Sequence, residues 1–67
     1  MRNHVIVELH GSVCLVRGAG QEAEWFLEEN MPLDATRFGG AYVVEPRYVG
    51  DIMEDLHDRG FTVEVQL

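Results

Sequence analysis

The C-terminal third of the chain has the most regular pattern of apolar and polar positions. Apolar side chains recur there at the i, i+3, i+4 and i+7 spacing of one helical face, at Val49, Ile52, Met53 and Leu56. The pattern predicts a helix over about residues 46–59, because Pro46 suits a first helical position and Gly60 can end a helix. Alternation with period two over residues 61–67 then predicts a half-buried strand.

The N-terminal segment alternates in the same way and predicts a β-hairpin. Its first strand places apolar side chains at every second position, namely Val5, Val7 and Leu9. The sequence His10-Gly11-Ser12 is typical of a tight turn, and residues 12–17 form the second strand, antiparallel to the first.

The second strand is apolar on both faces, so its orientation is a separate prediction. We expect Val13 and Leu15 on the buried face of the hairpin. Cys14 and Val16 then share the opposite face with Ile6. That face is not cleanly polar, and a second copy of the chain could cover it.

A second helix is predicted over about residues 21–30, after a break at residues 18–20. Its apolar stripe consists of Ala23, Phe26 and Leu27. Trp25 falls nearly opposite this stripe, beside acidic residues. The helix is expected to end before Pro32, because the residue preceding a proline disfavours helical angles.

Residues 33–45 allow two interpretations. In the favoured one, residues 36–38 and 41–44 form a second hairpin around Gly39-Gly40; in the other, a loop leads into one strand at residues 41–45. The favoured element order is ββ-α-ββ-α-β. It predicts one α+β domain over residues 1–67, a two-layer sandwich of a mainly antiparallel sheet with two helices on one face.

The composition narrows the possible functions. The 67 residues carry a formal net charge of −7, from 12 acidic and 5 basic side chains, which disfavours non-specific binding to nucleic acid or anionic membranes. The charge favours a partner protein with a basic surface. A chain this short buries only a small hydrophobic core, and binding to a second copy or to a partner would therefore add stability.

The single cysteine, Cys14, cannot form an internal disulfide, and no signal peptide or membrane span is predicted, so we expect a cytoplasmic protein.

The candidate catalytic and ligand motifs have simpler structural explanations. Residues 18–23 fit the dinucleotide pattern G-x-G-x-x-A, but Glu22 and Glu24 would repel a pyrophosphate, so we interpret the motif as a glycine-rich turn. No pair among His4, His10, Cys14 and His57 has the spacing of known metal sites. A domain of this size can hardly enclose a pocket around paired carboxylates. We therefore expect no enzyme activity, no cofactor and no metal.

The predicted partner-binding residues lie mainly on the helix exteriors. A tryptophan on the polar face of an acidic helix is either covered by a neighbouring loop or a binding anchor, since tryptophan is enriched among interface hot spots. The acidic rows are either solvated faces or carboxylates that meet a basic partner or imitate a phosphate backbone. The candidate residues are Trp25, Tyr42, Glu24, Glu28, Asp51, Asp55 and Asp58.

Residues 25–65 also resemble a known family. The order of elements is a helix, then Met31-Pro32, a hairpin with an aromatic residue on each strand, a second helix and an alternating strand. The matching residues are Phe38, Tyr42, Val43, Val44, Pro46, Gly60, Phe61, Val63 and Val65. This order resembles the small module, related to the HARP domain, that precedes some Swi/Snf-type helicase motors. The resemblance implies a DNA-gripping role through basic and aromatic groups, in a stand-alone phage or mobile-element relative.

These observations leave three hypotheses for function. The favoured one is a non-enzymatic interaction protein that binds and modulates another protein and could itself be a homodimer. The second is a nucleic-acid-binding accessory module contacting its ligand through Arg37, Arg47, Tyr42 and Phe38, or a DNA mimic. The third is a small enzyme or ligand binder that uses the turn at residues 18–20.

Overall fold

A computed structural model describes residues 4–31 and 35–66 of the chain. The described residues form the elements β1 (His4–His10), β2 (Val13–Ala19), α1 (Gln21–Asn30), β3 (Arg37–Phe38), β4 (Ala41–Val44), α2 (Pro46–Asp58) and β5 (Thr62–Gln66). The strands form one sheet in the order β3-β4-β2-β1-β5, in which only the β1–β5 pair is parallel. The predicted α+β class and the order ββ-α-ββ-α-β are confirmed.

Glycines with positive φ make both hairpin turns. Gly11 has φ 70° in the turn that joins β1 to β2, where His10 pairs with Val13. Gly39 and Gly40, with φ 56° and 84°, join β3 to β4. Positive φ at both central residues gives a turn whose twist matches the flanking strands. The predicted hairpin in residues 36–44 is therefore confirmed, and the single-strand alternative is wrong.

Both helices pack on one face of the sheet. Their buried side chains join those of the central strands in one cluster, consisting chiefly of Val5, Val7, Cys14, Val16, Ala23, Leu27, Val49 and Leu56. Ile52 and Met53 are half-buried against this cluster, which confirms the predicted apolar face of α2. Helix α1 has its predicted bounds; Pro32, expected to follow its end, lies outside the described residues.

The predicted orientation of β2 is wrong. Val13 and Leu15 are only half-buried and lie away from the helices, whereas Cys14 and Val16 are 2% and 0% exposed beneath them. The physical reason is the pairing register: the two-residue turn sets Val7 opposite Val16, and directly paired residues share a face of the sheet. Both faces of β2 are apolar, so its hydrophobic pattern could not distinguish them.

Two further side chains expected to be buried are largely exposed. Leu9 and Val65 are 38% and 48% exposed, although each pairs with a residue on the helix side of the sheet. Val65 lies near the end of β5, an edge strand that has a described neighbour on one side only. Leu67, the last position of the predicted strand, lies outside the described residues.

Gly18 permits the closest approach between a helix and the sheet. A Cβ atom at this position would lie 2.7 Å from the backbone nitrogen of Glu24 and 2.8 Å from the carbonyl carbon of Ala23. No side chain fits at such distances, so α1 can rest on β2 only because residue 18 is glycine. Gly18 thus has a packing role inside a strand. The predicted break at residues 18–20 is wrong for Gly18 and Ala19, because β2 continues to Ala19 and only Gly20 joins it to α1.

We expect the substitution Gly18→Ala to lower the free energy of unfolding by about 2 kcal/mol, because the α1 backbone must move away from the sheet. Urea denaturation followed by circular dichroism measures the change. Gly50→Ala is the matched control: a Cβ at that position in α2 meets no atom within 4 Å. Because alanine has a better helix propensity than glycine, Gly50→Ala should raise the free energy of unfolding by about 0.5–1 kcal/mol. Equal stability of Gly18→Ala and the wild type would contradict the close approach.

The orientation of β2 can be tested through the reactivity of Cys14. The thiol is buried under the helices, so it should react with a water-soluble disulfide reagent only when the domain opens. In a Cys14→Ala background, Ser12→Cys places a thiol in the exposed turn as a control. At low protein concentration we expect Cys14 to react at least about 100-fold more slowly than this control. Similar rates would show that Cys14 faces solvent.

Candidate functional site

Trp25 lies on the solvent side of α1. It is 56% exposed, while Ala23 and Leu27 on the opposite side of the helix are 0% and 1% exposed. The alternative in which a loop covers the ring is not supported by this exposure, although Pro32 and Leu33 lie outside the described residues. A ring this exposed offers a large apolar surface to a partner.

Three glutamates surround Trp25 on the helix surface. Glu22 precedes it by three residues, and Glu28 and Glu29 follow it by three and four. Residues at these spacings are neighbours on a helix, with Cβ atoms about 5–6 Å apart. All three glutamates are exposed. The arrangement places a flat aromatic surface within a ring of negative charge.

Glu22 and Glu24 in the first turn suit the dipole of α1, but the charges at its C-terminal end are unfavourably placed. Glu28 and Glu29 lie near its C-terminal, negative end, and no basic residue occupies its last turn. Glu24 and Glu28 form a like-charge pair at the i, i+4 spacing, which is destabilising. Within the described chain no basic side chain forms an ion pair with any α1 glutamate.

The acids of α2 form a second exposed row, made of Asp51, Glu54, Asp55 and Asp58. Asp55 is partly neutralised by Arg59, whose Nε donates to its carboxylate at 3.2 Å. The Arg59 guanidinium also lies 5.0 Å from the ring centre of Phe26 in α1. Arg59 therefore places a positive charge between the two acidic rows. We call the eight exposed acids of both helices the acidic helix layer: Glu22, Glu24, Glu28, Glu29, Asp51, Glu54, Asp55 and Asp58.

Tyr42 lies in the core. It is 7% exposed, and the Arg37 guanidinium lies 4.2 Å from its ring centre and donates to its hydroxyl at 3.2 Å. Arg37 also donates to the Gly40 carbonyl at 3.1 Å. Little of the Tyr42 ring reaches solvent, and its contact with a partner stays a prediction.

The four residues of the nucleic-acid hypothesis are only partly brought together. Arg37 packs on the ring of Tyr42 and also lines, with Phe38, the groove between β2, β3 and β4. Phe38 is 69% exposed. Arg47 lies in α2, 5.0 Å from the ring centre of Tyr48. These positions offer no single surface on which all four could contact one strand of nucleic acid.

A second candidate surface, which the sequence did not identify correctly, is the face of the sheet away from the helices. No described helix packs on it. We call it the open sheet face; its apolar side chains are Ile6, Val13, Leu15, Phe38 and Val43. Part of it is a shallow groove of about 370 Å³ between β2, β3 and β4. The pairing register that the two-residue turn imposes on β1 and β2 was the sequence signal that could have placed Val13 and Leu15 on this face.

The polar part of the open sheet face consists of paired charges. Glu8 accepts from Arg17 at 3.0 Å and lies 3.2 Å from the His10 ring nitrogen. Glu64 lies 3.0 Å from His4. A hydrogen bond from the Gln66 amide, together with the His4 ring, lowers the pKa of the Glu64 carboxyl. The described residues contain no group of three or more His, Cys, Asp or Glu side chains that could hold a metal ion.

Among the residues that the structure describes, neither helix is long and apolar enough to cross a membrane. Comparison of the chain with protein-family models, with curated proteins and with solved structures finds no significant match. The resemblance to the HARP-related module therefore stays a prediction.

Proposed function

We propose that this chain is a small, non-enzymatic interaction module that binds and modulates a partner protein carrying a basic surface. The observation that carries the proposal is the exposed ring of Trp25 among three glutamates of α1. In this proposal a lysine or arginine of the partner lies on the indole, and the surrounding carboxylates pair with its charge.

The chemistry of the α1 surface supports a cationic ligand. A guanidinium or ammonium group over an indole face gains roughly 0.5–2 kcal/mol, depending on how far it is desolvated. Three arginines of the described chain already stack in this way, on Tyr42, Tyr48 and Phe26. None of the described arginines occupies the Trp25 ring, so its face is available to a partner.

The charge balance supports the same conclusion. Glu22 and Glu24 lie in the first turn and favour the helix dipole, whereas Glu28 and Glu29 oppose it near the C-terminal end, and Glu24 and Glu28 repel each other. A basic partner would relieve that repulsion on binding. The net charge of −7 would also attract the partner over distance and raise its association rate at low salt.

A second candidate is a DNA mimic, in which the acidic helix layer competes with nucleic acid for a basic binding surface. The specific observation in its favour is that the acids of α2 are exposed, as are those of α1. The two candidates differ in what they require: a mimic depends on charge spread over both helices, whereas the favoured site depends on α1 and on Trp25.

We expect Trp25→Ala to weaken the binding of a fluorescently labelled nona-arginine peptide at least fivefold, because the cation loses its aromatic surface. Fluorescence anisotropy at low salt measures the affinity. Trp25→Phe should retain part of the binding. Tyr48→Ala, which removes another exposed aromatic residue, is the matched control and should change the affinity less than twofold. The emission of Trp25, the only tryptophan, should also change on binding.

If Trp25→Ala and Tyr48→Ala bind the peptide equally well, the indole has no part in binding and the proposed site is wrong. An unchanged Trp25 emission on saturation with the peptide would lead to the same conclusion. A peptide of nine lysines, tested in parallel, separates a preference for guanidinium stacking from simple attraction between charges.

The substitution Glu28→Lys should raise stability and lower binding together. A lysine near the C-terminal end of α1 favours the helix dipole and can pair with Glu24, which is worth roughly 0.5–1 kcal/mol of unfolding free energy. Asp58→Lys is the matched control in α2. It makes the same change of charge, and Asp58 follows the acidic residue Glu54 by four positions, as Glu28 follows Glu24. We expect Glu28→Lys to reduce peptide affinity at least fivefold more than Asp58→Lys. Equal losses would favour the DNA-mimic alternative.

A further inference from the structure

We infer that a second copy of this chain binds the open sheet face, so that two sheets stack face to face and the helices point outward. This surface lies on the opposite side of the sheet from Trp25 and the acidic helix layer. The inference is independent of the proposed partner site, because different residues carry it and either one can fail alone.

The first argument is the apolar character of the open sheet face. Ile6, Val13, Leu15 and Val43 are half-buried in the single chain, and Phe38 is 69% exposed beside them. Val43 pairs directly with Leu15 and Phe38 with Ala41, so apolar side chains lie side by side across β2, β4 and β3, while Ile6 lies on β1 between Arg17 and Glu64. Contiguous apolar surface of this kind marks an interface when it occurs on a small soluble domain.

The second argument is the distribution of charge, which selects a second copy over other occupants. The acidic helix layer holds eight of the chain's 12 acids, whereas the open sheet face holds only Glu8 and Glu64, each with a partner. A second copy is as acidic as the first, so the helix sides of two copies repel each other. The open sheet face is the surface on which two copies can meet with little repulsion, while a basic partner would be drawn to the helices.

The edges of the sheet are poorer places for self-association. β3 has only two residues, which is too short to nucleate pairing with another strand. Glu64 is the central residue of β5, so antiparallel pairing of two β5 strands about their centres would set two carboxylates opposite each other. Like charges in directly opposed positions destabilise a strand pair. Stacking of the open sheet faces avoids both problems.

The size of the face sets the expected strength of the dimer. The five strands hold 7, 7, 2, 4 and 5 residues, which at about 3.3 Å per residue and about 4.8 Å between strands make a face of about 400 Å². Two such faces in contact would bury roughly 800 Å², below the usual range of stable interfaces. The dimer should therefore be weak, with a dissociation constant on the order of 10–100 μM, and it should respond strongly to single substitutions.

Sedimentation equilibrium over about 5 μM to 1 mM tests the inference with the full chain. We expect the apparent mass to rise from that of the 7.6 kDa chain towards twice this value as concentration increases. Phe38→Glu and Leu15→Glu should each weaken the dimer at least tenfold, because they place a carboxylate within the apolar contact. Tyr48→Glu makes the same charge change at an exposed aromatic residue of α2 and should leave the dimer intact.

Circular dichroism separates loss of association from loss of folding. Phe38 is the most useful position, because its exposure means that its replacement removes little packing within the single chain. A wild-type protein that stays monomeric at 1 mM would overturn the inference. A dimer that survives both Phe38→Glu and Leu15→Glu, or that Tyr48→Glu disrupts equally, would also overturn it by placing the contact elsewhere.

Discussion

The pairing of β1 with β2 is the interaction on which the rest of the fold depends. Its register sets Val7 beside Val16 and Val5 beside Gly18, which makes an apolar floor for both helices. Gly18 adds the space that lets the α1 backbone rest directly on the sheet. A slip of β2 by one residue would turn its side chains to the other face, because side chains alternate along a strand. Gly18 would then leave the helix side, and the α1 backbone would lose the glycine on which it rests.

The same register divides the surface into two regions of different chemistry. The helix side carries most of the acids and the exposed tryptophan, while the open sheet face carries apolar side chains and paired charges. Such a division suits a protein that meets unlike partners on opposite sides. In the proposed arrangement, stacked sheets would hold two acidic helix layers outward, so a dimer would present two copies of the Trp25 site.

The two C-terminal glutamates of α1 work against the helix that carries them. A helix selected only for stability would place basic residues in its last turn and avoid like charges four residues apart. Glu28 and Glu29 do the opposite, although Glu22 and Glu24 in the first turn favour the helix dipole, and this C-terminal pair is more understandable as part of a binding surface. Conflicts between local stability and sequence choice are expected at functional sites, where stability is given up for recognition.

The sequence by itself predicted both helices, the first hairpin and the C-terminal strand, because periodicity and turn chemistry act between residues close in the chain. It left two alternatives for residues 33–45 and for the exposure of Trp25, which the tertiary structure decided. Only the tertiary structure decided which side of β2 is buried, since Val13, Cys14, Leu15 and Val16 are all apolar and the choice depends on pairing with β1. It alone placed Tyr42 in the core, where β2, β3 and Arg37 surround it. Burial depends on contacts between segments that are distant in the chain, and a local pattern of apolar and polar residues does not predict those contacts.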